Sequence, residues 1–228
     1  MNGICLERDH EGLDSPLTAA GILKKGLRMA VFDGMGGENF GEYASFAAAQ
    51  RMKLMDRTWK ERLIPGKQYL SRLMDRLNDA VLEVGQELNA ERMGTTAVFL
   101  YCTGRHIFSC NLGDSRAYRL RAGTFTQLSQ DHTTFLHGSG RKKPFLTQYL
   151  GLDTQQFRLE PCIVREKWKK NDVYLLCSDG LTDMLEDREI ADILTAMNSA
   201  QSGVQELMTA ALNRGGRDNI TAIVLKIG

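Results

Sequence analysis

The chain has 228 residues, 43% of them apolar, with 29 Lys and Arg against 28 Asp and Glu and a net charge of +1. That length and apolar content suit a single domain, residues 1–228, with a sizeable core; so balanced a charge gives no field for steering onto nucleic acid or anionic lipid. The five cysteines (Cys5, Cys102, Cys110, Cys162, Cys177) form no CxxC pair, which fits buried, reduced thiols in the cytoplasm better than a disulfide frame or a zinc site. No apolar run approaches the roughly 20 residues of a membrane helix, and Glu7, Arg8, Asp9 and Glu11 come too early for a signal peptide.

In chain order, Met29 to Phe32 reads as an apolar strand running into Asp33-Gly34. Residues 41–56 read as a helix, with Ala44, Ala47, Ala48, Met52 and Met55 on one side. Residues 67–90 hold the clearest helical period, through Leu70, Leu73, Met74, Leu77, Val81 and Leu88. This is a core stripe, and its methionines have no cofactor role. Thr96–Cys102 and His106–Cys110 form a hairpin around Thr103-Gly104; Arg116–Leu120 and Phe125–Leu128 form another around residues 121–124. Val173–Cys177 is a strand that passes through Ser178 into Asp179-Gly180. A helix at about 187–197 has Ile190, Ile193, Leu194 and Met197 as its stripe. Another covers about 203–213, with Ser202 and Gln205 fitting a capping box and Gly215-Gly216 closing it. The last strand, Ile220–Ile227, is apolar on both faces and should be covered on both. Strands clustered in hairpins argue against a parallel doubly wound sheet. The expected fold is α+β, a four-layer α-β-β-α sandwich of two antiparallel sheets with helix pairs on the outside.

Three aspartates stand at strand ends: Asp33 after the first strand, Asp179 after Val173–Cys177, and Asp218 before the last strand. A strand is a rigid mount, and a turn beside it exposes the carboxylate. Three such groups can converge on a hard cation, which takes oxygen ligands and keeps several waters. Glycine after the aspartate, at Gly34 and Gly180, lets the backbone bend and offers its carbonyl. A single Asp-Gly is ordinary turn chemistry, so the weight falls on the longer strings.

Those strings are Asp33-Gly34-Met35-Gly36-Gly37, Gly94-Thr95-Thr96-Ala97, Asn111-Leu112-Gly113-Asp114-Ser115-Arg116, Asp131-His132-Thr133, Cys177-Ser178-Asp179-Gly180-Leu181 and Arg217-Asp218-Asn219-Ile220-Thr221. In order and spacing they resemble the type 2C, metal-dependent serine/threonine protein phosphatases in their bacterial form, from about Met29 to the C-terminus. The resemblance implies hydrolysis of phosphoserine and phosphothreonine in proteins by a hydroxide bridging two Mn or Mg ions. Asp33 would bridge the two ions, the Gly34 carbonyl would bind one, and Asp179 and Asp218 the other. Asp114 matches the position that binds a third, looser ion, against a bland reading as a turn residue. The implied partners are phosphoproteins, the targets of a Ser/Thr kinase. No protein nucleophile is needed, so the cysteines have no catalytic part. Asn219 orders its turn, Arg116 is structural, and His132 is a structural hydrogen-bonder.

Two departures from the pattern stand out. The family's Arg and Asn-Glu-Asp-like string, which precede the segment matching Ile4-Cys5-Leu6, have no counterpart. This leaves a metal-poor pseudophosphatase that binds a phosphoprotein as the alternative function. It also predicts either a monomer or self-association through an exposed sheet edge. The helical flap of the family is reduced to Thr134–Phe145, a short basic loop holding His137, Gly138, Gly140, Arg141, Lys142 and Lys143.

Overall fold

The computed structural model describes residues 27–35, 40–55, 64–135 and 144–228. The expectations attached to Cys5, Glu7, Arg8 and Asp9, to Gly36-Gly37, and to His137 through Lys143 lie outside them. In chain order the elements are β1 Arg28–Val31, α1 Gly41–Leu54, α2 Gly66–Glu87, β2 Ala97–Thr103, β3 His106–Leu112, β4 Arg116–Arg121 and β5 Thr124–Gln127. Then follow β6 Thr133–Thr134, β7 Phe145–Leu146, β8 Cys162–Lys167, β9 Val173–Cys177, α3 Asp179–Thr182, α4 Asp187–Ala196, α5 Ala200–Asn213 and β10 Ala222–Lys226.

Two four-stranded sheets form, ordered β1-β2-β3-β8 and β10-β9-β4-β5, and every pairing in them is antiparallel. Strand side chains alternate between faces, so each central strand feeds two cores. On β2, Ala97, Phe99 and Tyr101 join Leu70, Leu73, Met74 and Leu77 of α2 and Ala44 and Ala48 of α1. Val98, Leu100 and Cys102 turn the other way, onto Tyr174 and Leu176 of β9. On the far side of β9, Val173, Leu175 and Cys177 meet Ile190, Leu194, Leu207 and Ala211 from α4 and α5. The layers therefore run helices, sheet, sheet, helices, as the sequence order predicts. β10 lies at a sheet edge yet is covered on both faces: Ala222 and Val224 pack toward the helices, Ile223 and Leu225 between the sheets. Among the described residues no helix is long and apolar enough to cross a membrane.

The helix expected at 203–213 begins earlier. α5 starts at Ala200, and its cap is Ser199, whose hydroxyl accepts the Ser202 amide at 3.0 Å while Ser202 Oγ accepts the Ser199 amide at 3.1 Å. Ser202 is thus the returning third residue of the capping box, a place usually filled by Glu or Gln, and Gln205 takes no part in it. The close at Gly215-Gly216 is as expected, with the Gly216 amide donating to Ala211 O at 3.2 Å. β8 was not foreseen, because Arg165, Glu166 and Lys167 give it the polarity of a loop. Its pairing with β3, from Asn111↔Cys162 to His106↔Lys167, supplies the order that its own composition hides.

Candidate active site

The site is assembled by two sheets ending at the same place. In the second sheet Cys177 of β9 pairs with Ala222 of β10 on one side and with Arg116 of β4 on the other. Asp179 follows Cys177 by two residues, Asp114 precedes Arg116 by two, and Asp218 precedes Ala222 by four. All three therefore leave the same end of that sheet. In the first sheet β1 runs toward this end, and Asp33 lies just beyond Val31.

The backbone around each aspartate is pinned. Asp33 O accepts from the Thr96 amide at 2.8 Å and from Thr95 Oγ1 at 2.9 Å, and the Asp33 amide donates to Thr96 Oγ1 at 3.2 Å. Gly34 bridges Thr95, which in turn bridges Leu150. The same Thr96 hydroxyl lies 2.7 Å from Ser115 Oγ, so one threonine ties the Asp33 strand end to the Asp114 turn. Gly34 is packed so closely against the start of α1 that a Cβ there would sit 2.1 Å from Gly41 O.

On the second sheet Ser178 plays the equivalent part. Its amide donates to Thr221 O at 3.0 Å, its hydroxyl accepts the Thr221 amide at 3.0 Å, and it donates to Asn219 O at 3.2 Å. Gly180 completes the clamp. A Cβ at that position would stand 2.2 Å from Asn219 O, so only glycine lets the Asp218-Asn219 turn lie against the first residues of α3. Asp218 Oδ1 accepts the Asn219 amide at 2.9 Å, which fixes one of its oxygens.

The four aspartates act on one another. Asp33 is pushed up from the usual 3.8 to about 8, first by burial, then by the charge of Asp179 and a hydrogen bond with it, then by the charges of Asp218 and Asp114. Without a cation, burial first and then the three neighbouring carboxylates keep a proton on Asp33 at neutral pH. As the side chains stand, no three His, Cys, Asp or Glu side chains among the described residues are gathered tightly enough to ligate one ion. An ion here would take much of its shell from water and from backbone carbonyls, as hard dications do. A buried acid whose proton is held by neighbouring negative charge is the environment that a dication relieves. The donor set, all oxygen, suits Mg²⁺ or Mn²⁺.

The other residues of interest have structural partners. Arg116 grips Asp131 through Nε at 3.0 Å and Nη2 at 2.6 Å, and Nη1 donates to Tyr118 Oη at 3.0 Å, whose hydroxyl donates to Asp187 at 2.8 Å. It is committed to the fold, as the sequence pattern predicts. His132 Nδ1 accepts the Gly113 amide at 3.2 Å. Burial raises the Cys102 thiol to about 11, the Cys177 thiol to about 12 and the Cys110 thiol well above its usual value, the state of inert core thiols rather than nucleophiles. Thr95, Thr96, Ser115 and Ser178 are the site-building residues that sequence reasoning passed over. They lie inside the recognised strings; Ser115 and Ser178 each adjoin an aspartate, whereas Thr95 and Thr96 stand far from any in sequence and meet Asp33 only through the fold.

Residues 17–214 match the protein phosphatase 2C family. The chain belongs to that family. It is 31% identical over 214 residues to the serine/threonine phosphatase Stp of Listeria welshimeri, covering 86% of this chain and 82% of that protein. It superimposes on the serine/threonine phosphatase Stp1 of Staphylococcus aureus with a TM-score of 0.77 at 26% identity, over 92% of this chain and 88% of the other. Likewise it matches the catalytic domain of the serine/threonine protein phosphatase PstP in complex with 2 manganese ions, with a TM-score of 0.71 at 29% identity over 94% and 96% of the two chains. As a protein phosphatase 2C member the chain is a hydrolase of protein phosphoesters, and its α+β sandwich is the architecture of these neighbours.

Proposed function

We propose that this protein phosphatase 2C member is one domain over residues 1–228 that removes phosphate from phosphoserine and phosphothreonine in the protein targets of a Ser/Thr kinase, in the cytoplasm. Asp33, the Gly34 carbonyl, Asp179 and Asp218 would hold two divalent ions, Mn²⁺ or Mg²⁺. Asp114 would hold a third, looser ion. The observation that carries this reading is the state of Asp33, a carboxyl raised to about 8 by burial and three neighbouring aspartates. Relatives named serine/threonine phosphatases support the substrate class, and the two manganese ions of PstP support the metal.

Bound dications supply a nucleophile from water at neutral pH and positive charge for the phosphoryl oxygens. The chain's own work is positioning. Thr95 and Thr96 hold the Asp33 peptide, Ser178 and Gly180 hold the Asp179 and Asp218 turns together, and Thr96 with Ser115 sets the Asp114 turn beside them. Rigid mounts of this kind keep donors in place for charge that develops during reaction. The carboxylates that a phosphoprotein binder without turnover could afford to lose are all present, so the catalytic reading is favoured. The test is hydrolysis of a phosphothreonine peptide with added Mn²⁺. Turnover that EDTA abolishes is expected; turnover indifferent to EDTA would overturn the reading.

A further inference from the structure

His132 does more than the sequence suggested. It faces Gly113, the residue before Asp114, through two hydrogen bonds: the His132 amide donates to Gly113 O at 3.1 Å, and the Gly113 amide donates to His132 Nδ1 at 3.2 Å. A backbone amide can only donate. Nδ1 must therefore carry its lone pair, and the neutral ring has its proton on Nε2. The segment carrying His132 is anchored in turn. Asn111 Nδ2 donates to Gln130 O at 2.7 Å, the Gln130 amide returns to Asn111 Oδ1 at 3.2 Å, and the Thr147 amide donates to His132 O at 2.8 Å.

Asp114 is thus held from both sides. Behind it, Gly113 is gripped by His132. Ahead of it, Ser115 Oγ lies 2.7 Å from the Thr96 hydroxyl that also accepts the Asp33 amide. The peptide between Gly113 and Asp114 begins at the ring-held residue, and Gly113 has a φ of +97°, a conformation with little intrinsic preference to keep it in place. The Asp114 carboxylate contributes to raising Asp33, so its placement reaches the centre of the site.

We propose that His132 is a positioning residue for Asp114: its ring accepts the Gly113 amide at Nδ1 and so fixes the Leu112–Gly113 peptide, while its own amide holds the Gly113 carbonyl of the next peptide; gripping Gly113 from both sides sets the approach of Asp114 and the affinity of the looser metal position. The proposal rests on the reading of Asp114 as a ligand for that ion. It distinguishes the two ring nitrogens. An asparagine places its Oδ1 near the place of Nδ1 and can accept the amide, whereas a glutamine reaches toward the place of Nε2 and cannot.

The test is calorimetric titration of the EDTA-stripped, full-length protein with Mn²⁺. His132→Gln should weaken the last and weakest binding event about five- to tenfold, the worth of one net hydrogen bond, while leaving the tighter events in place. His132→Asn should restore it to within about twofold of wild type. Asp114→Asn should remove that event. Loss of the weak event in Asp114→Asn with an unchanged titration in His132→Gln would overturn the positioning role while leaving the metal reading intact. An unchanged titration in Asp114→Asn would show that the metal reading of Asp114 fails, and the proposal with it. The unaltered protein gives a second readout, independent of how any variant folds. In two-bond ¹H–¹⁵N spectra with Mg²⁺, His132 should show a bare Nδ1 and a protonated Nε2; a protonated Nδ1 would overturn the assignment.

Discussion

Replacing Asp33 by asparagine should do opposite things to the metal-free and metal-loaded protein. In the folded, metal-free chain Asp33 titrates at about 8 instead of 3.8. The native state therefore binds more protons than the unfolded state between about pH 4 and pH 8, and stability falls as pH rises through that window. At pH 7, some three pH units above the unfolded value of 3.8 and still below the folded value, the native state is penalised by about 4 kcal/mol at 1.36 kcal/mol per unit. The asparagine side chain cannot ionise, so the variant loses the slope. In EDTA, Asp33→Asn should melt at the wild-type temperature near pH 4.5 and above it by pH 7.5, at about 2–4 °C for each kcal/mol relieved in a domain of this size. With Mn²⁺ the proposed metal role of Asp33 predicts the reverse order, since binding to the native state would then stabilise only the chain that retains this carboxylate. Differential scanning calorimetry from pH 4.5 to 8, with EDTA and with Mn²⁺, measures both effects. Parallel melting curves for the two proteins across pH in EDTA would refute the argument that Asp33 sits unrelieved among the other carboxylates.

Other substitutions probe the mounts rather than the ligands. Gly180→Ala places a methyl 2.2 Å from Asn219 O, so the Asp218 turn must shift. The variant should lose about 1–3 kcal/mol of stability, as overpacked sites do, and should need more Mn²⁺ for half-maximal phosphatase activity; an unchanged Mn²⁺ requirement would show that the clamp does not set the ligand geometry. Arg116→Ala removes the cation that pairs with half-buried Asp131, leaving it only the Gln127 amide, and breaks the bond to Tyr118, at a cost of about 1–3 kcal/mol; urea melts that match wild type would contradict a structural role. Because burial raises the thiols of Cys102, Cys110 and Cys177, iodoacetamide at pH 7.5 should leave turnover of a phosphopeptide intact; stoichiometric inactivation would point to a cysteine nucleophile.

What was legible in the sequence and what was not divides along a physical line. Elements whose stability comes from their own pattern were readable: the leucine stripe of α2, the hairpin of β2 and β3, and the fully buried run of β9 each state a period without help from the rest of the chain. β8 was not, because its order is lent by β3. The start of α5 was misplaced because two serines three residues apart both offer a hydroxyl, and only the folded chain shows which one caps. The candidate site follows the same rule. Asp33, Asp179 and Asp218 were visible because a carboxylate after an apolar strand is conspicuous. Asp114 was marked only by its resemblance to a family position; what places it beside them is Cys177 pairing with both Arg116 and Ala222, a fact of register. The hydroxyls of Thr96, Ser115 and Ser178 were less visible still, since each looks like ordinary strand-end polarity. Their part appears only when one hydroxyl is seen to serve two strand ends at once, as Thr96 serves Asp33 and Ser115. A site built from the ends of two sheets is specified by pairings between distant residues. Single residues reveal its chemistry, and its geometry emerges only with the register.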